Sequence, residues 1–305
     1  MKKSITKELI IKYKWAVALR ILICIINRGC FLLLPLIFGT TINHIAGGNY
    51  TAAIHLVIIG MVVGVLAKVS QICKVYAFHN LTLKLTNEYT ALAGERLFDD
   101  SKKEKHGEIL NVITADIDTM SYFVPRMTRM VIRCLEIMII FIYFFMVGYY
   151  FGFAAISATA FSLMILNISK NKITAANQNL LESGDMRFNL INKVITKRKS
   201  KEEPTKELLL HYANEFAKGD RKKEITEATV QQYILALIEL FRWGTVFMGI
   251  YLYINGSIEI GVIVILYSYF GSLKDGSEEF SAMIIRIKQW QVSKQRFMNF
   301  CQIDK

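Results

Sequence analysis

Charged side chains three residues apart, inside segments that are otherwise apolar, are the first candidates for chemistry in this sequence. Glu239 and Arg242 have this spacing, and so do Arg133 and Glu136. Residues at i and i+3 lie on the same face of a helix, so each pair can neutralise itself, as buried charges in lipid generally must. For Arg133, the position near the end of its apolar segment also favours snorkelling toward the interface.

A second interpretation of these charges is functional. Polar side chains inside apolar segments can line a water-accessible central cavity and bind a polar ligand there. The candidate cavity residues are Asn27, Arg28, Glu239 and Arg242. The sequence alone leaves both interpretations open.

Motifs for catalysis or nucleotide binding are missing. The sequence contains no GxxxxGK[ST] loop that would offer backbone amides to ATP phosphates, no HExxH and no nucleophile elbow. The five His residues are scattered, and the five Cys residues form no CxxC pair, which favours reduced packing residues. We therefore expect no metal site, no cofactor in this chain and no enzymatic activity of the chain alone.

The composition indicates a membrane protein. Of the 305 residues, 53% are hydrophobic, yet the formal net charge is +12, and the mean hydropathy is +0.34. So much apolar surface could not be covered by the polar residues available to a soluble domain. The basic residues are confined to alternate loops, which points to the anionic inner leaflet and excludes a nucleic-acid-binding protein.

The pattern predicts an all-α polytopic membrane protein with six transmembrane helices. Apolar runs of about 20 residues are long enough to cross a bilayer, and only three prolines interrupt them. The predicted spans are residues 16–38, 54–78, 127–147, 149–169, 231–254 and 258–280. Because the Lys-rich and Arg-rich segments lie on one side, the positive-inside rule predicts a multi-pass protein of the cell membrane with both termini cytoplasmic.

Two long polar segments, residues 79–126 and 170–230, are predicted as cytoplasmic helical extensions. In the first, the stretch Gly107 to Met120 (GEILNVITADIDTM) alternates polar and apolar residues at helical spacing. Asp116 and Asp118 within it could be solvated residues on an exposed helix face. They could also belong to a rigid helical arm that docks on a soluble partner.

Four stretches resemble the transmembrane domain of ABC exporters, the six-helix type found in multidrug, lipid and bacteriocin transporters. The sequence around Gly94 to Met120 is similar to the family's coupling-arm signature, with Asp116 and Asp118 at its acidic positions. The other three stretches follow the family's order along the chain. They are Leu32 to Tyr50 (LLLPLIFGTTINHIAGGNY), Tyr253 to Leu273 (YINGSIEIGVIVILYSYFGSL) and Ser293 to Asp304 (SKQRFMNFCQID).

The resemblance implies a single domain over residues 1–305 that works as a domain-swapped homo- or heterodimer. It implies a separate nucleotide-binding ATPase subunit that carries ATP and Mg, with membrane lipid as the other partner. The resemblance assigns ATPase-coupling tips to Ser101, Lys103, Glu104, His106, Lys199 and Glu203, and a coupling-arm motif to Gly107, Glu108, Asp116 and Asp118. The function so implied is a permease subunit that exports a peptide, lipid or drug-like substrate by alternating access.

Departures from the family pattern keep a second hypothesis open. The first tip is about eight residues shorter than in the family, and only DDSKKEKH (Asp99 to His106) remains. A non-transporting membrane scaffold, or the passive half of a heterodimer with an immunity or sensor role, would explain this loss. Because the sequence stops at Lys305, where the family's ATPase domain would follow, the ATPase is either a separate polypeptide or missing from this sequence.

Overall fold

The computed structural model describes residues 5–97, 115–196 and 206–301, and the tips predicted at residues 101–106 and 199–203 lie outside these ranges. Within them the chain is helical, without a strand. The helices are α1 (Ile5–Lys12), α2 (Lys14–Ala46), α3 (Tyr50–Leu97), α4 (Ile117–Val147), α5 (Tyr149–Thr196), α6 (Lys206–Ile254) and α7 (Ile260–Cys301). The all-α prediction is confirmed.

Three short turns join the long helices at one end of the bundle, which we call the turn end. They lie between α2 and α3, at Gly148, and between α6 and α7. Gly48 and Gly256 have φ angles of 74° and 69°, in the left-handed region that glycine adopts without steric cost. These two glycines allow each helix pair to reverse direction within a few residues.

The described residues contain five helices long and apolar enough to cross a membrane: Lys14–Ala46, Tyr50–Glu95, Ile117–Val147, Tyr149–Ser169 and Leu210–Ile254. Helix α7 is not among them, since Lys274, Asp275 and Glu279 interrupt its apolar segment. Helix α3 has 48 residues and is therefore about 70 Å long, more than twice the roughly 30 Å of a bilayer core. The long helices thus extend well beyond any membrane they span.

The first hydrophobic core lies toward the turn end and joins α4, α5, α6 and α7. Phe144, Phe151 and Phe270 are almost completely buried in it, and Phe144 stacks on Phe270 with 5.2 Å between ring centroids. Helix α7 also packs against α2, so it contacts most of the bundle. Its central position explains how a helix with several charges can be accommodated there.

The second hydrophobic core lies at the opposite end and joins α1, α3, α4 and α7. Leu81, Tyr89 and Phe297 are fully buried, and Tyr89 meets Phe297 edge to face at 5.5 Å. Ile117 and Met120, at the start of α4, belong to the same core. The start of α4 is therefore fixed rigidly to the end of α7.

Candidate functional site

A layer of ion pairs crosses the bundle between the two cores. Arg28 of α2 approaches Glu136 of α4 at 3.5 Å and Glu279 of α7 at 3.3 Å. Arg129 of α4 also pairs with Glu279. One acidic residue on each of α4 and α7 therefore faces basic residues on neighbouring helices, and the layer ties α2, α4 and α7 together.

Arg133 is a buried member of this layer. Its Nη1 lies 2.6 Å from Glu136 Oε2, and its Nη2 lies 3.8 Å from Asp275 Oδ2 on α7. The Arg133 side chain is only 1% exposed, so the predicted snorkelling toward an interface is wrong. The expected i, i+3 pairing with Glu136 is confirmed. A guanidinium group buried among helices does not reach water, so its charge needs a carboxylate partner.

Asn27 joins α2 to α3 through three hydrogen bonds. Its Nδ2 donates to Ala67 O at 3.1 Å and to Ser70 Oγ at 2.9 Å, while its Oδ1 accepts from Lys74 Nζ at 3.0 Å. Asn27 is completely buried, so these bonds satisfy an amide that would otherwise be costly to bury. This amide also holds the ammonium of Lys74 in place.

An open cavity of about 800 Å³, the ion-pair cavity, lies beside this layer. Two of the predicted cavity residues, Asn27 and Arg28, line it. The wall also contains Phe31, Leu34, Pro35, Phe38, Lys68, Gln71, Lys74, Arg129, Glu136, Ser268, Ser272, Asp275 and Glu279. The cavity is therefore apolar toward the turn end and charged below.

Glu239 and Arg242, the other two predicted cavity residues, lie elsewhere. Arg242 Nη1 is 3.0 Å from Glu239 Oε1, and Lys274 Nζ is 3.3 Å from the same oxygen. Arg242 also donates to Tyr267 O and stacks 3.4 Å from the Tyr267 ring centroid. The two residues join α6 to α7, and neither is among the described residues that line the ion-pair cavity.

A second open cavity of about 660 Å³, the basic cavity, lies farther from the turn end and adjoins the first. Gln71, Lys74, Arg129 and Glu279 line both. Arg20 also lines the basic cavity and is 1% exposed. The remaining wall consists of Val75, Phe78, His79, Arg126, Met130, Leu166, Ile173, Glu227, Val230, Gln231, Ile234, Ala282, Met283 and Arg286.

No protein-family model and no curated protein matches the chain. A solved structure of a bacterial Atm1-family ABC exporter with ATP bound does match it in fold, with a TM-score of 0.78 over 95% of this chain. The chain has the transmembrane fold of an ABC exporter. Sequence identity to that exporter is 14%, and the match spans 53% of the exporter's own chain.

The residues predicted as a coupling arm are only partly within the described ranges. Asp116 is 4% exposed at the start of α4, whereas Asp118 is exposed. Gly107 and Glu108 lie outside the described residues, as do the predicted tip residues Ser101, Lys103, Glu104, His106, Lys199 and Glu203. The assignment of all these residues to coupling stays a prediction.

Several cavity residues of the exporter fold were not among those predicted from the sequence. Arg126 and Arg129 line the cavities from one face of α4, and Arg133, which lines neither cavity, follows them on that face at i+7. Asp275 and Glu279 likewise lie one turn apart on α7. Charged residues that recur at helical spacing along an otherwise apolar helix are the sequence signal that could have predicted this polar face.

Proposed function

We propose that this chain is the membrane-spanning subunit of an ATP-driven exporter whose ATPase is supplied by another polypeptide. The observation that carries the proposal is the exporter fold over 95% of the chain. Two such subunits would surround a central cavity. Closure and separation of the ATPase subunits would alternate its opening between the two sides of the membrane.

Helix α7 is proposed as the sixth span. Its charges are compensated from other helices, because Lys274 pairs with Glu239, Asp275 lies near Arg133, and Glu279 pairs with Arg28. Paired charges that face the interior of a bundle are the usual way in which ionisable groups occur within a membrane. Six spans place both termini on the same side, which we assign to the cytoplasm.

The second hydrophobic core supports a lever role for the coupling arm. Ile117 and Met120 are buried against α3 and α7, so a displacement of the arm would move the ends of three helices together. Close-packed interiors transmit strain instead of absorbing it. The tips at 101–106 and 199–203 would contact the ATPase subunits and receive that displacement.

Co-purification tests the proposal. The chain is expressed with the ATPase subunit encoded nearest to it, and the complex is isolated through a tag on this chain. We expect the ATPase to be retained, ATP hydrolysis only in the complex, and loss of the ATPase when residues 101–106 are deleted, a change that spares the buried residues Ile117 and Met120. Appreciable ATP hydrolysis by this chain alone, after an ATPase contaminant is excluded, would sink the proposal.

The scaffold hypothesis predicts a different result in the same experiment. It is favoured by the short segment from Asp99 to His106, which leaves fewer residues for an ATPase contact. A scaffold or passive half of a heterodimer would co-purify with a second transmembrane subunit, and deletion of residues 101–106 would leave that association intact.

A further inference from the structure

The basic cavity carries an excess of positive charge. Five Lys and Arg side chains and two Glu side chains line it, which leaves three positive charges in excess. The basic residues are Arg20, Lys74, Arg126, Arg129 and Arg286, and the acidic residues are Glu227 and Glu279. Since α2, α3, α4 and α7 all contribute cations, the excess belongs to the cavity and not to one helix.

One of the two carboxylates is already shared. Glu279 pairs with Arg129 inside the basic cavity and with Arg28, which lines the neighbouring cavity. A single carboxylate therefore pairs with two guanidinium groups, so Glu279 is already engaged and does not neutralise the other cations of the basic cavity.

Arg20 holds a buried positive charge among neutral acceptors. Its Nε and Nη2 donate to Pro125 O at 3.1 and 2.7 Å, and its Nη1 donates to Lys74 O at 3.3 Å. Its hydrogen bonds are satisfied, but no carboxylate of the described residues forms an ion pair with it. Lys74 resembles it, with its ammonium directed at the amide oxygen of Asn27.

Uncompensated cations in an apolar bundle attract anions strongly. The attraction between opposite charges grows as the surrounding dielectric constant falls, and a buried charge without a partner raises the free energy of the folded state. Arginine presents a planar set of donors that matches phosphate and carboxylate oxygens. A cavity of about 660 Å³ lies within the usual range for small-molecule sites.

We propose that the basic cavity binds an anionic group with at least two negative charges, of the phosphate, carboxylate or sulfonate kind, and that the transported compound contains this group. That the anionic compound is transported rests on the proposed function, whereas the existence of the binding site does not. The anion would lie among Lys74, Arg126 and Arg286, and the positive charge of Arg20 would attract it from the cavity wall. Its source is either a soluble metabolite-sized anion or the headgroup of an anionic lipid.

Thermal unfolding of the full chain tests the site directly. The purified chain is placed in phosphatidylcholine nanodiscs and titrated with citrate or with inorganic pyrophosphate, against sodium chloride at matched ionic strength. A second arm uses nanodiscs that contain cardiolipin, whose headgroup carries two phosphates, without an added soluble anion. The variants are Arg126→Gln and Arg286→Gln, and the matched control is Arg296→Gln, an exposed arginine of α7 outside both cavities.

We expect an anion to raise the unfolding temperature beyond the chloride control, with an apparent affinity that falls roughly tenfold in each cavity variant because a charge-assisted contact is lost. The control Arg296→Gln should retain the wild-type affinity. Stabilisation by citrate or pyrophosphate supports a soluble anion, and stabilisation confined to the cardiolipin nanodiscs supports a lipid headgroup. No stabilisation in either arm, or equal loss in Arg296→Gln, overturns the inference.

The outcome separates this inference from the proposed function. The titration contains no ATPase, so a chain that binds anions but never retains an ATPase subunit would contradict the proposed function alone. A chain that retains a coupled ATPase but shows no anion effect would contradict this inference alone.

Discussion

Gly261 lies against Gly39 so closely that a Cβ atom on Gly261 would stand 1.9 Å from the Gly39 carbonyl oxygen. The Gly261 N–H also donates to Asn43 Oδ1 at 2.6 Å. Two glycines thus bring α2 and α7 into backbone contact near the turn end. The first span and the proposed sixth span are joined there by this backbone contact and by the Asn43 hydrogen bond.

Gly261→Ala should therefore destabilise the protein. The added methyl group meets backbone that cannot rotate away, so we expect a loss of about 1–3 kcal/mol in the free energy of unfolding. Chemical denaturation in detergent measures it. Gly64→Ala is the matched control, since a Cβ atom added at Gly64 would have no neighbour within 4 Å among the described residues. It should be neutral or slightly stabilising. Equal effects of the two substitutions would contradict the close contact.

Glu136→Gln should cost more than Arg133→Met. Glu136 serves both Arg133 and Arg28, whereas Arg133 can be removed while Glu136 keeps Arg28. Among the described residues, Glu136→Gln leaves Arg133 with only Asp275 at 3.8 Å and Arg28 with only Glu279, and removing one partner of a buried pair costs about 3–5 kcal/mol. A double-mutant cycle measured by denaturation checks this order.

The exposed pair Glu215 and Lys218 provides the control for that cycle, because it has the same i, i+3 spacing on the surface. Its removal should change the unfolding free energy by no more than about 0.5 kcal/mol. A coupling energy at Arg133 and Glu136 as small as this one would show that their burial has no energetic consequence.

Glu239→Ala should destabilise more than the double substitution with Arg242→Ala, and the double substitution should restore stability only in part. The reason is that Lys274 also pairs with Glu239 and loses this carboxylate partner in both variants. Since Glu239 is one-third exposed, the single change should cost about 1–2 kcal/mol. Adding Lys274→Met should complete the recovery, and strictly additive losses across the series would argue against the cluster.

Phe297→Ala should loosen the second hydrophobic core. The side chain is fully buried against Tyr89, and its removal leaves a cavity that costs about 3–5 kcal/mol. Limited proteolysis should then cut α3 and α7 beyond the membrane sooner than in the wild type. Phe247→Ala, at a side chain that is 76% exposed, should leave the proteolytic pattern unchanged.

The sequence predicted the fold better than the site, for a physical reason. Hydrophobic periodicity and the spacing of charges along a helix are local signals, and they predicted the helices and the i, i+3 pairs at Arg133 and Glu239. The contact between Arg28 and Glu279 joins residues 251 positions apart, and no local pattern specifies it. Helix α7 shows the same limit of local patterns. Its charged residues lower the hydropathy that would identify it as a span, whereas the residues that pair with those charges lie on other helices.

The long separation of Arg28 from its carboxylates also sets a condition on biogenesis. An arginine in the middle of a spanning helix costs about 2.5–3.5 kcal/mol on insertion scales until it is compensated. Synthesis at about 5–20 residues per second places Glu279 roughly 10 to 50 seconds after Arg28. During that interval the charge of Arg28 must be compensated by Glu136, by water or by the insertion machinery. Helix α7 is synthesised last, so it is the helix that completes the layer of ion pairs.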